Sequence, residues 1–429
     1  MTLLQETQGG KVPESIVRAA GREGVDATEL AREVAAGRAV VPANRVHARG
    51  SLSPLAIGRC VSTKINANLG ASAVKSSLAQ EKAKLELALR AGADAVMDLS
   101  TAGDLDAIRE MVVDQSPAPV GTVPMYEMVL HRDVEDLKVA DMLAVIAKHA
   151  EQGVDFFTIH AGILREHLPH AVNRVGGIVS RGGALLAKWM VHHSRQNPLY
   201  EHFDEICAIM REYDVAFSLG DGLRPGALAD AGDEAQYREL RTLAELAERA
   251  RQAGCQVMIE GPGHVPLNQI EEQIRYQQEV CAGAPFYVLG PLVTDIGAGY
   301  DHIAGAIGAT LAAYYGASFL CYLTPREHLG LPDEEAVREG VVVFKLAAHA
   351  ADVARGFPGA RQRDDAMSAA RARFDWPKMF ELALDGEKAK SMRQQDACPG
   401  DDYCTMCGRK WCAVRINNEV KEMLAAQRR

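Results

Sequence analysis

Short apolar segments alternate with amphipathic segments along residues 61–355. Most of the intervening segments, such as residues 78–92, have helical spacing and end in glycine, as helices often do. This alternation predicts parallel strands joined by helices. The expected fold class is α/β, a (β/α)8 TIM-like barrel, with a doubly wound open sheet as the second interpretation. Nine runs fit the strand pattern, so one is not a barrel strand or two short ones share a role: residues 64–70, 94–101, 120–127, 156–162, 176–183, 215–224, 256–264, 286–295 and 318–328.

The regions on either side of this pattern look different. Residues 1–60 form a small N-terminal segment, in which residues 26–40 predict a helix capped by Asp26 or Thr28. After residue 330 the apolar positions recur only at helical spacing, and residues 356–363 suggest a linker. We therefore expect an N-terminal segment (1–60), a barrel with the substrate and metal site (61–355), and a helical domain with a cysteine-bearing tail (364–429).

Polar side chains gather where the predicted strands end. In a barrel these ends meet around one mouth, where enzymes of this architecture keep their active sites. For any single residue, ordinary surface polarity explains the pattern equally well, but charge at nearly every strand end favours a site. The residues are Asn66, Asn68, Asp98, Ser100, Tyr126, His160, Ser180, Arg181, Asp221, Arg224, Glu260, His264, Asp295, Glu327 and His328.

Two glycine-rich segments each contain an arginine at a predicted strand-to-helix turn. They read SRGG at 180–183 and GDGLRPG at 220–226. Glycine lets backbone N–H groups approach an anion closely, and arginine supplies the opposite charge. The pair predicts a phosphate site, and ordinary glycine turns with solvated arginines are the alternative. Neither segment matches a dinucleotide-binding or P-loop pattern, so a nucleotide cofactor held there is not indicated.

Two histidines follow glycine- or proline-bounded turns at predicted strand ends. His264 lies in EGPGHVP and His328 in TPREHLGLP. Both side chains could converge on one metal ion with open positions for water or substrate. A lone histidine is more often simply hydrogen-bonded, so the spacing by itself supports the metal hypothesis only weakly.

The overall composition narrows the class of protein. The chain has 429 residues, of which 48% are hydrophobic and 24% charged, as in ordinary globular proteins. Its net charge of −10 and the lack of a long basic run argue against nucleic acid as the main partner. We expect no membrane span and no secretion signal. Nine cysteines, an odd number, argue against structural disulfides, and we therefore expect a cytoplasmic protein.

Three cysteines lie within nine residues near the end of the chain, in CTMCGRKWC at 404–412. Thiolates bind zinc or iron–sulfur clusters. Three of them, Cys404, Cys407 and Cys412, would leave one iron of a four-iron cluster open to a further ligand. Cys398, six residues upstream, could instead complete a four-thiolate zinc site. The spacing alone leaves both alternatives open.

Long segments of the sequence resemble the ThiC family of radical S-adenosylmethionine (SAM) enzymes. They occur in one order along nearly the whole chain, and the spacing C-x2-C-x4-C is typical of that family. The segments are TKINANLGAS, VMDLST, GTVPMY, GVDFFTIHAG, GIVSRGG, LYEHFDEI, SLGDGLRPG, VMIEGPGHVP, PFYVLGPLVTDI, GYDHI and LCYLTPREHLGLP. The resemblance implies a (β/α)8 barrel, a [4Fe-4S] cluster on a C-terminal helical domain, and SAM on the open iron. It also implies an external electron donor, 5-aminoimidazole ribotide (AIR) as substrate, and a homodimer in which the cluster arm of one chain reaches its neighbour's barrel.

The resemblance also implies roles for individual residues in the barrel. Catalytic roles would fall to Glu260, Tyr126 and His160. Substrate contacts are implied for Asn68, Met97, Tyr126, His160, Ser180, Arg181, Gly182, Asp221, Gly222, Leu223, Arg224, Glu260 and Tyr287.

Metal ligands are implied at two places. His264 and His328 match the family's second metal site, usually assigned as zinc. The cluster ligands would be Cys404, Cys407 and Cys412, and this assignment removes Cys398 from the set.

The family includes two reactions on AIR. One makes 5-hydroxybenzimidazole, the lower-ligand precursor of a cobamide in vitamin B12 synthesis, and the other is the phosphomethylpyrimidine synthase reaction of thiamin synthesis. This chain departs from the thiamin pattern at STAG (100–103), Glu127, Ala298, PANRVH (42–47) and KWCAVR (410–415). An added carboxylate at Glu127 and a freer loop at Ala298 favour the benzimidazole product. The pyrimidine product is the alternative, and a structural zinc-binding protein or a simple electron carrier is more distant.

Overall fold

Three helices and a small antiparallel sheet begin the chain. The computed structural model describes residues 1–72, 77–396 and 402–427. The carboxylate of Asp26 accepts the N–H groups of Thr28 and Glu29, both at 2.9 Å, which confirms the predicted cap and assigns it to Asp26. Ile16 and Leu30 belong to a small apolar core of these helices. The elements are α1 (Leu3–Gln8), α2 (Glu14–Glu23), α3 (Ala27–Ala35), β1 (Ala39–Val40) and β2 (Ile57–Gly58).

Eight parallel strands in the described residues close into a barrel, which confirms the predicted fold. Each strand pairs with the next along the chain, and the last pairs with the first. The strands are β3 (Lys64–Leu69), β4 (Ala95–Asp98), β5 (Val120–Thr122), β6 (Phe156–Ile159), β7 (Ala216–Leu219), β8 (Val257–Gly261), β9 (Phe286–Leu289) and β10 (Phe319–Cys321).

Helices connect the strands. Most are amphipathic and bury one face against the sheet, as a right-handed crossover requires. Short 3-10 turns lie at His47–Arg49, Val134–Asp136, Arg165–His167, Leu228–Asp230 and Leu267–Gln269. The helices are α4 (Leu78–Ala91), α5 (Leu105–Gln115), α6 (Pro124–Met128), α7 (Val139–Glu151), α8 (Leu168–Ala171), α9 (Arg181–His193), α10 (Pro198–Glu201), α11 (Phe203–Tyr213), α12 (Glu234–Gln252), α13 (Ile270–Val280), α14 (Asp301–Tyr315) and α15 (Glu334–Ala354).

One of the nine predicted strand runs, residues 176–183, is not a strand. It is a loop whose last residues begin α9, and the side chain of Ser180 accepts the N–H of Gly183 as the helix cap. Four glycines in eight residues weaken any strand there, whereas a serine before a helical segment favours a helix start. The other eight runs coincide with β3 to β10.

Aromatic side chains fill the barrel interior. The ring of Phe156 on β6 contacts that of Phe319 on β10, although these two strands are not neighbours, so both rings cross the interior. Phe319 also stacks on Tyr287 of β9, with ring centroids 4.3 Å apart. A Cβ atom on Gly261 would lie 2.0 Å from the ring of Phe286, so the packing there requires glycine. This packed layer is the floor of the barrel mouth.

Residues 1–355 form one compact unit and residues 356–429 a second. The predicted linker at 356–363 is shorter than expected, because the first helix of the second unit already begins at Ala360. No helix in the described part of the chain is long and apolar enough to cross a membrane. The helices of the second unit are α16 (Ala360–Ala372), α17 (Trp376–Leu382), α18 (Gly386–Gln395), α19 (Gly408–Trp411) and α20 (Ala413–Gln427).

Candidate active site

A cavity opens at the carboxyl ends of the barrel strands. Its empty volume, counted with the space open to solvent, is about 500 Å3. Each barrel strand contributes residues from its last positions or from the loop that follows, so residues far apart in sequence meet. The lining residues are Asn68, Met97, Leu99, Val123, Tyr126, Thr158, His160, Asp221, Arg224, Glu260, Gly261, Tyr287, Val288, Leu289 and Cys321.

Glu260 lies near the carboxyl end of β8. One of its oxygens, Oε1, accepts hydrogen bonds from Thr158 Oγ1 at 2.7 Å and Ser218 Oγ at 2.8 Å. Burial raises the pKa of Glu260, and these two hydroxyl donors oppose the rise. Oε1 accepts both side-chain hydroxyls, and the backbone N–H of Asp221 also stabilises the carboxylate.

Asp221 and Arg224 lie on the turn that follows β7. Arg224 Nη1 donates to Asp221 Oδ1 at 3.2 Å, while Asp221 Oδ2 is buried and has no hydrogen-bond partner among the described residues. Burial holds the pKa of Asp221 well above its usual range, although Arg224 opposes this. An unpartnered buried oxygen is costly, and it is therefore expected to meet a ligand or an ordered water.

The N-terminus of α9 packs directly against this turn. A Cβ atom on Gly183 would lie 2.2 Å from the carbonyl oxygen of Gly222, so the two backbones touch only because both residues are glycines. The first turn of a helix presents free N–H groups and a positive dipole end. Here Ser180 takes the N–H of Gly183, and the N–H groups of Arg181 and Gly182 precede it. The arrangement is suited to an anion, and we call it the anion cradle: the first turn of α9 at residues 180–183 together with the turn at residues 221–224.

His160 is a buried, neutral imidazole. Burial lowers its pKa to about 3, and the charges of Arg224 and Arg181 act in the same direction. Its Nε2 lies 3.2 Å from the hydroxyl of Ser180, and its buried Nδ1 has no hydrogen-bond partner in the described residues. Because the Ser180 oxygen already accepts an N–H, its own O–H can donate to Nε2, which leaves the ring proton of His160 on Nδ1, next to Gly182 of α9. Arg181 also lies over the ring of Tyr126, 4.4 Å from its centroid.

A second polar network lines the opposite side of the cavity. Asn66 Nδ2 donates to Asn68 Oδ1 at 2.7 Å and to the hydroxyl of Tyr287 at 2.8 Å. Asn68 Nδ2 in turn reaches the sulfur of Cys321 at 3.1 Å, and the Tyr287 hydroxyl lies 3.5 Å from the sulfur of Met97. Burial raises the pKa of Cys321 to about 12, so it stays a thiol.

The structure brings the predicted substrate-contact residues together. Some line the cavity and the others lie behind or beside them. Eight line the cavity directly: Asn68, Met97, Tyr126, His160, Asp221, Arg224, Glu260 and Tyr287. The others support them from behind or beside: Ser180, Gly182, Gly222 and Leu223 support the anion cradle, and Arg181 lines a neighbouring recess.

Sequence reasoning missed three residues that contact this set. Thr158 and Ser218 lie at paired positions of β6 and β7, and Cys321 lies on β10. A hydroxyl inside an otherwise apolar run, as in FFTI and AFSL, was the signal that could have found the first two.

One of the two predicted metal histidines, His328, lines a neighbouring recess. The empty volume of this recess is about 980 Å3, and Asn68, Arg181, Glu327 and His328 are among the residues that line it. The rings of His264 and His328 lie side by side, with centroids 5.6 Å apart. Each Nδ1 contacts a carboxylate: His264 contacts Asp295 at 2.8 Å and His328 contacts Asp301 at 3.1 Å. Both Nε2 atoms are then left as the metal-binding nitrogens, so the pair fits a divalent metal with open positions.

The described residues contain no group of three or more His, Cys, Asp or Glu side chains arranged around one metal position. The histidine pair therefore offers two protein ligands. Cys404, Cys407 and Cys412 are free thiols on the short segment that includes α19, and Cys407 is exposed. Their chemistry and proximity in sequence fit a three-thiolate iron–sulfur site. Cys398 lies outside the described residues.

Two sequence relatives of this chain bear the same name. The chain is 55% identical over 427 residues to a phosphomethylpyrimidine synthase of Natronomonas pharaonis, covering 98% of this chain and 89% of that protein. A phosphomethylpyrimidine synthase of Halobacterium salinarum is 53% identical over the same lengths. Among solved structures, a dihydropteroate synthase of Xanthomonas albilineans is 14% identical with a TM-score of 0.43, covering 74% of this chain and 99% of its own, too distant to bear on function.

The relatives overturn the predicted benzimidazole product, because both bear the name of the thiamin enzyme. The geometry explains why the sequence differences at Glu127 and Ala298 led to the wrong product. Glu127 does not line the cavity: its carboxylate pairs with Arg109, Lys148 and His149 on the outer side of the barrel. Burial alone would raise the pKa of Glu127, but its hydrogen bonds from His149 and Lys148 hold it below the usual range. Ala298 is exposed on the loop before α14.

A family match extends over almost the whole chain. Residues 2–419 match the family described as the radical SAM ThiC family. Enzymes of this class use a [4Fe-4S] cluster and SAM, which agrees with the three thiols of the terminal segment. The chain belongs to the radical SAM ThiC family.

Proposed function

We propose that this chain is a phosphomethylpyrimidine synthase, which rearranges AIR into the pyrimidine phosphate used for thiamin. The observation that carries the proposal is the cavity of the barrel mouth, where an anion cradle meets buried groups that can hold and pass protons. The names of the two archaeal relatives support it.

The ribotide would enter with its phosphate against the N-terminus of α9. Free N–H groups of Arg181 and Gly182 and the guanidinium of Arg224 supply the complement to its charge. The unpartnered Oδ2 of Asp221 is an acceptor for a ribose hydroxyl. The anion cradle is stabilised by contacts of Ser180, Gly222 and Leu223.

Three residues are proposed to take part in catalysis. Glu260 has a raised pKa and faces the cavity, which suits a carboxyl group that exchanges protons with a ligand. His160 stays neutral, so its ring would line the substrate site without adding charge. Burial raises the pKa of Tyr126, which keeps its phenol protonated as a donor.

The remaining groups would exclude water and orient the base. Asn68, Met97 and Tyr287 form a fixed network with little exposure. When bound through Cys404, Cys407 and Cys412, a [4Fe-4S] cluster with SAM would supply a 5′-deoxyadenosyl radical. A dry cavity protects such a radical from side reactions.

A divalent metal, zinc by preference, is proposed at His264 and His328. Imidazole nitrogen suits zinc, and two protein ligands leave room for exogenous ones. The thiols of the described cysteines are all free, which supports the proposal of a reducing, cytoplasmic location.

We also propose a homodimer served by an external electron donor. The support within this chain is an exposed apolar stripe, in which Ile303, Ile307 and Tyr314 recur at helical spacing on α14 next to Tyr300. Such a face is suited to a self-complementary contact.

The decisive experiment is a reconstitution of the full chain. Iron and sulfide are assembled anaerobically, then SAM, a reductant and AIR are added. We expect 5′-deoxyadenosine together with a pyrimidine phosphate, both read by mass spectrometry. A fully loaded cluster that forms no 5′-deoxyadenosine with AIR would contradict the proposal.

A matched pair of cysteine variants separates this proposal from a structural zinc protein. Cys407→Ser should lose bound iron and all SAM cleavage, whereas Cys398→Ser should keep both. A colourless protein holding zinc, damaged equally by both substitutions, would favour the structural zinc site.

A further inference from the structure

Asp295 contacts both the candidate metal ligand His264 and the segment that follows the anion cradle at residues 221–224. Its Oδ1 contacts His264 Nδ1 at 2.8 Å, and its Oδ2 accepts the backbone N–H of Leu228 at 2.9 Å. A backbone N–H can only donate, so Oδ2 is committed as an acceptor. The two oxygens therefore connect two different segments of the barrel mouth.

The contact with Asp295 determines which nitrogen of His264 carries the proton. A carboxylate accepts hydrogen bonds, so the facing Nδ1 must be the N–H and the lone pair of the neutral ring lies on Nε2. A metal ion binds through that lone pair. Asp301 Oδ2 has the same relation to His328 Nδ1, at 3.1 Å.

A backbone hydrogen bond also fixes the position of His264. The N–H of His264 donates to the carbonyl of Pro225 at 3.1 Å, and Pro225 directly follows Arg224 of the anion cradle. His328 has a φ of 60°, an unusual value for a residue other than glycine, which indicates that its orientation is imposed by its surroundings. His264 is thus held at its backbone and at Nδ1, and His328 at Nδ1.

We propose that Asp295 and Asp301 are positioning residues of the divalent-metal site, and that they hold His264 and His328 in the tautomer that binds metal through Nε2. This inference rests on the metal site of the proposed function. It assigns the acidic partners that the site needs, which lie 31 and 27 residues along the chain from their histidines.

The test is a comparison of two substitutions at the same position. In Asp295→Asn, the amide oxygen stays with the Leu228 N–H, so the NH2 group faces His264 Nδ1 and drives the proton to Nε2. In Asp295→Ala, water can reach Nδ1, because the Asp295 side chain is 41% exposed, and the ring keeps its freedom. The tautomer proposal therefore predicts that asparagine weakens metal binding more than alanine does.

The measurement is the dissociation constant for Zn2+ alone, by competition with a chromophoric chelator. The full chain carries Cys404→Ser, Cys407→Ser and Cys412→Ser, so that thiols do not hold the metal. We expect Asp295→Asn and Asp301→Asn each to weaken zinc binding about 10- to 100-fold. His264→Ala sets the level expected when a ligand itself is lost.

A surface pair provides the matched control. His202 Nδ1 contacts Glu205 at 3.0 Å on an exposed helix, so Glu205→Gln alters the same type of contact away from the site. Its zinc affinity should equal that of the parent chain. Unchanged affinity in Asp295→Asn, or a larger loss in Asp295→Ala, would overturn the proposal.

The outcome is separable from the proposed activity. A parent chain that binds no zinc would reject the metal site and this inference with it, whereas 5′-deoxyadenosine formation tests the radical chemistry independently. Circular dichroism of each variant shows whether a loss reflects the site or the fold.

Discussion

Glu239 is a buried acid beneath the turn that carries Asp221 and Arg224. Its Oε2 accepts the N–H of Leu223 at 2.7 Å, and its Oε1 is buried with no hydrogen-bond partner in the described residues. Burial raises its pKa to about 8, although the backbone donors oppose this. Glu239 therefore keeps a proton at neutral pH in the folded chain, while it supports the anion cradle.

This raised pKa makes stability depend on pH with a definite sign. Above the usual pKa of glutamate the unfolded chain releases the proton, but the folded chain keeps it to about pH 8, so rising pH favours unfolding. Glu239→Gln has no proton to release and keeps an acceptor for Leu223. We expect its stability relative to the parent to rise by roughly 3 kcal/mol between pH 5 and pH 8 in urea unfolding curves.

The control for this titration is an exposed acid. The pKa of Glu205 is lowered by its hydrogen bond with His202, so Glu205→Gln should show no such rise over the same range. If Glu239→Gln also tracks the parent at every pH, Glu239 is ionised in the folded chain and the assignment of its proton is wrong.

Among individual residues, the sequence predicted the polar side chains at strand ends but missed polar side chains that reach the site from a helix. Polar side chains such as Glu260 and His160 were visible because they follow apolar runs. Glu239 lies on α12, sixteen residues beyond Leu223, and looks like any surface helix acid until the helix is packed. Only the tertiary contact distinguishes it from its exposed neighbours.

At the scale of elements, α9 and the turn after β7 approach each other closely at the site. The backbones touch at Gly183 and Gly222, and no side chain separates them. The pattern in residues 176–183 did not predict this, because four glycines and two β-branched residues fit a strand and a helix start almost equally. Residues 176–183 do not join the sheet, because eight other strands already close the barrel.

Gly183→Ala tests this contact. The added methyl would lie 2.2 Å from the carbonyl oxygen of Gly222, so α9 must shift away from the turn. We expect a loss of roughly 1–3 kcal/mol in unfolding free energy and weaker binding of a ribotide phosphate, measured by denaturation and calorimetry.

Gly21→Ala is the matched control in a helix. Gly21 lies within α2 and a Cβ there meets nothing within 4 Å, so alanine should stabilise the chain by roughly 0.5–1 kcal/mol. If Gly183→Ala is as stable as the parent and binds the ribotide equally well, the contact does not shape the cradle.

For the whole molecule, the sequence predicted the barrel and the family better than the product. The barrel follows from a repeated pattern, and eight of its strands were identified. The product was misjudged because two departures were assumed to face the substrate. Glu127 is instead held by Arg109, Lys148 and His149, and Ala298 is exposed. A residue that is next to a site residue in the sequence need not contact the substrate.

The division into two units separates the proposed binding and redox functions. The cavity and the histidine pair lie within residues 1–355, whereas the three thiols of the terminal segment lie within 356–429. Each unit has its own hydrogen bonds, such as those of Arg415 with Asp402 in the second. Loss of the cluster should therefore leave the ribotide and zinc sites of the barrel intact.

Cys407→Ser in the full chain tests this division. Cys407 is exposed, so serine should not disturb packing, yet it removes one of three iron ligands. We expect bound iron and 5′-deoxyadenosine formation to fall to background, while the dissociation constants for ribotide and for zinc at the histidine pair stay within about twofold of the parent, a change of roughly 0.4 kcal/mol. A tenfold or greater loss of ribotide affinity would mean that the cluster segment helps to build the substrate site, and the separation of functions would then be wrong.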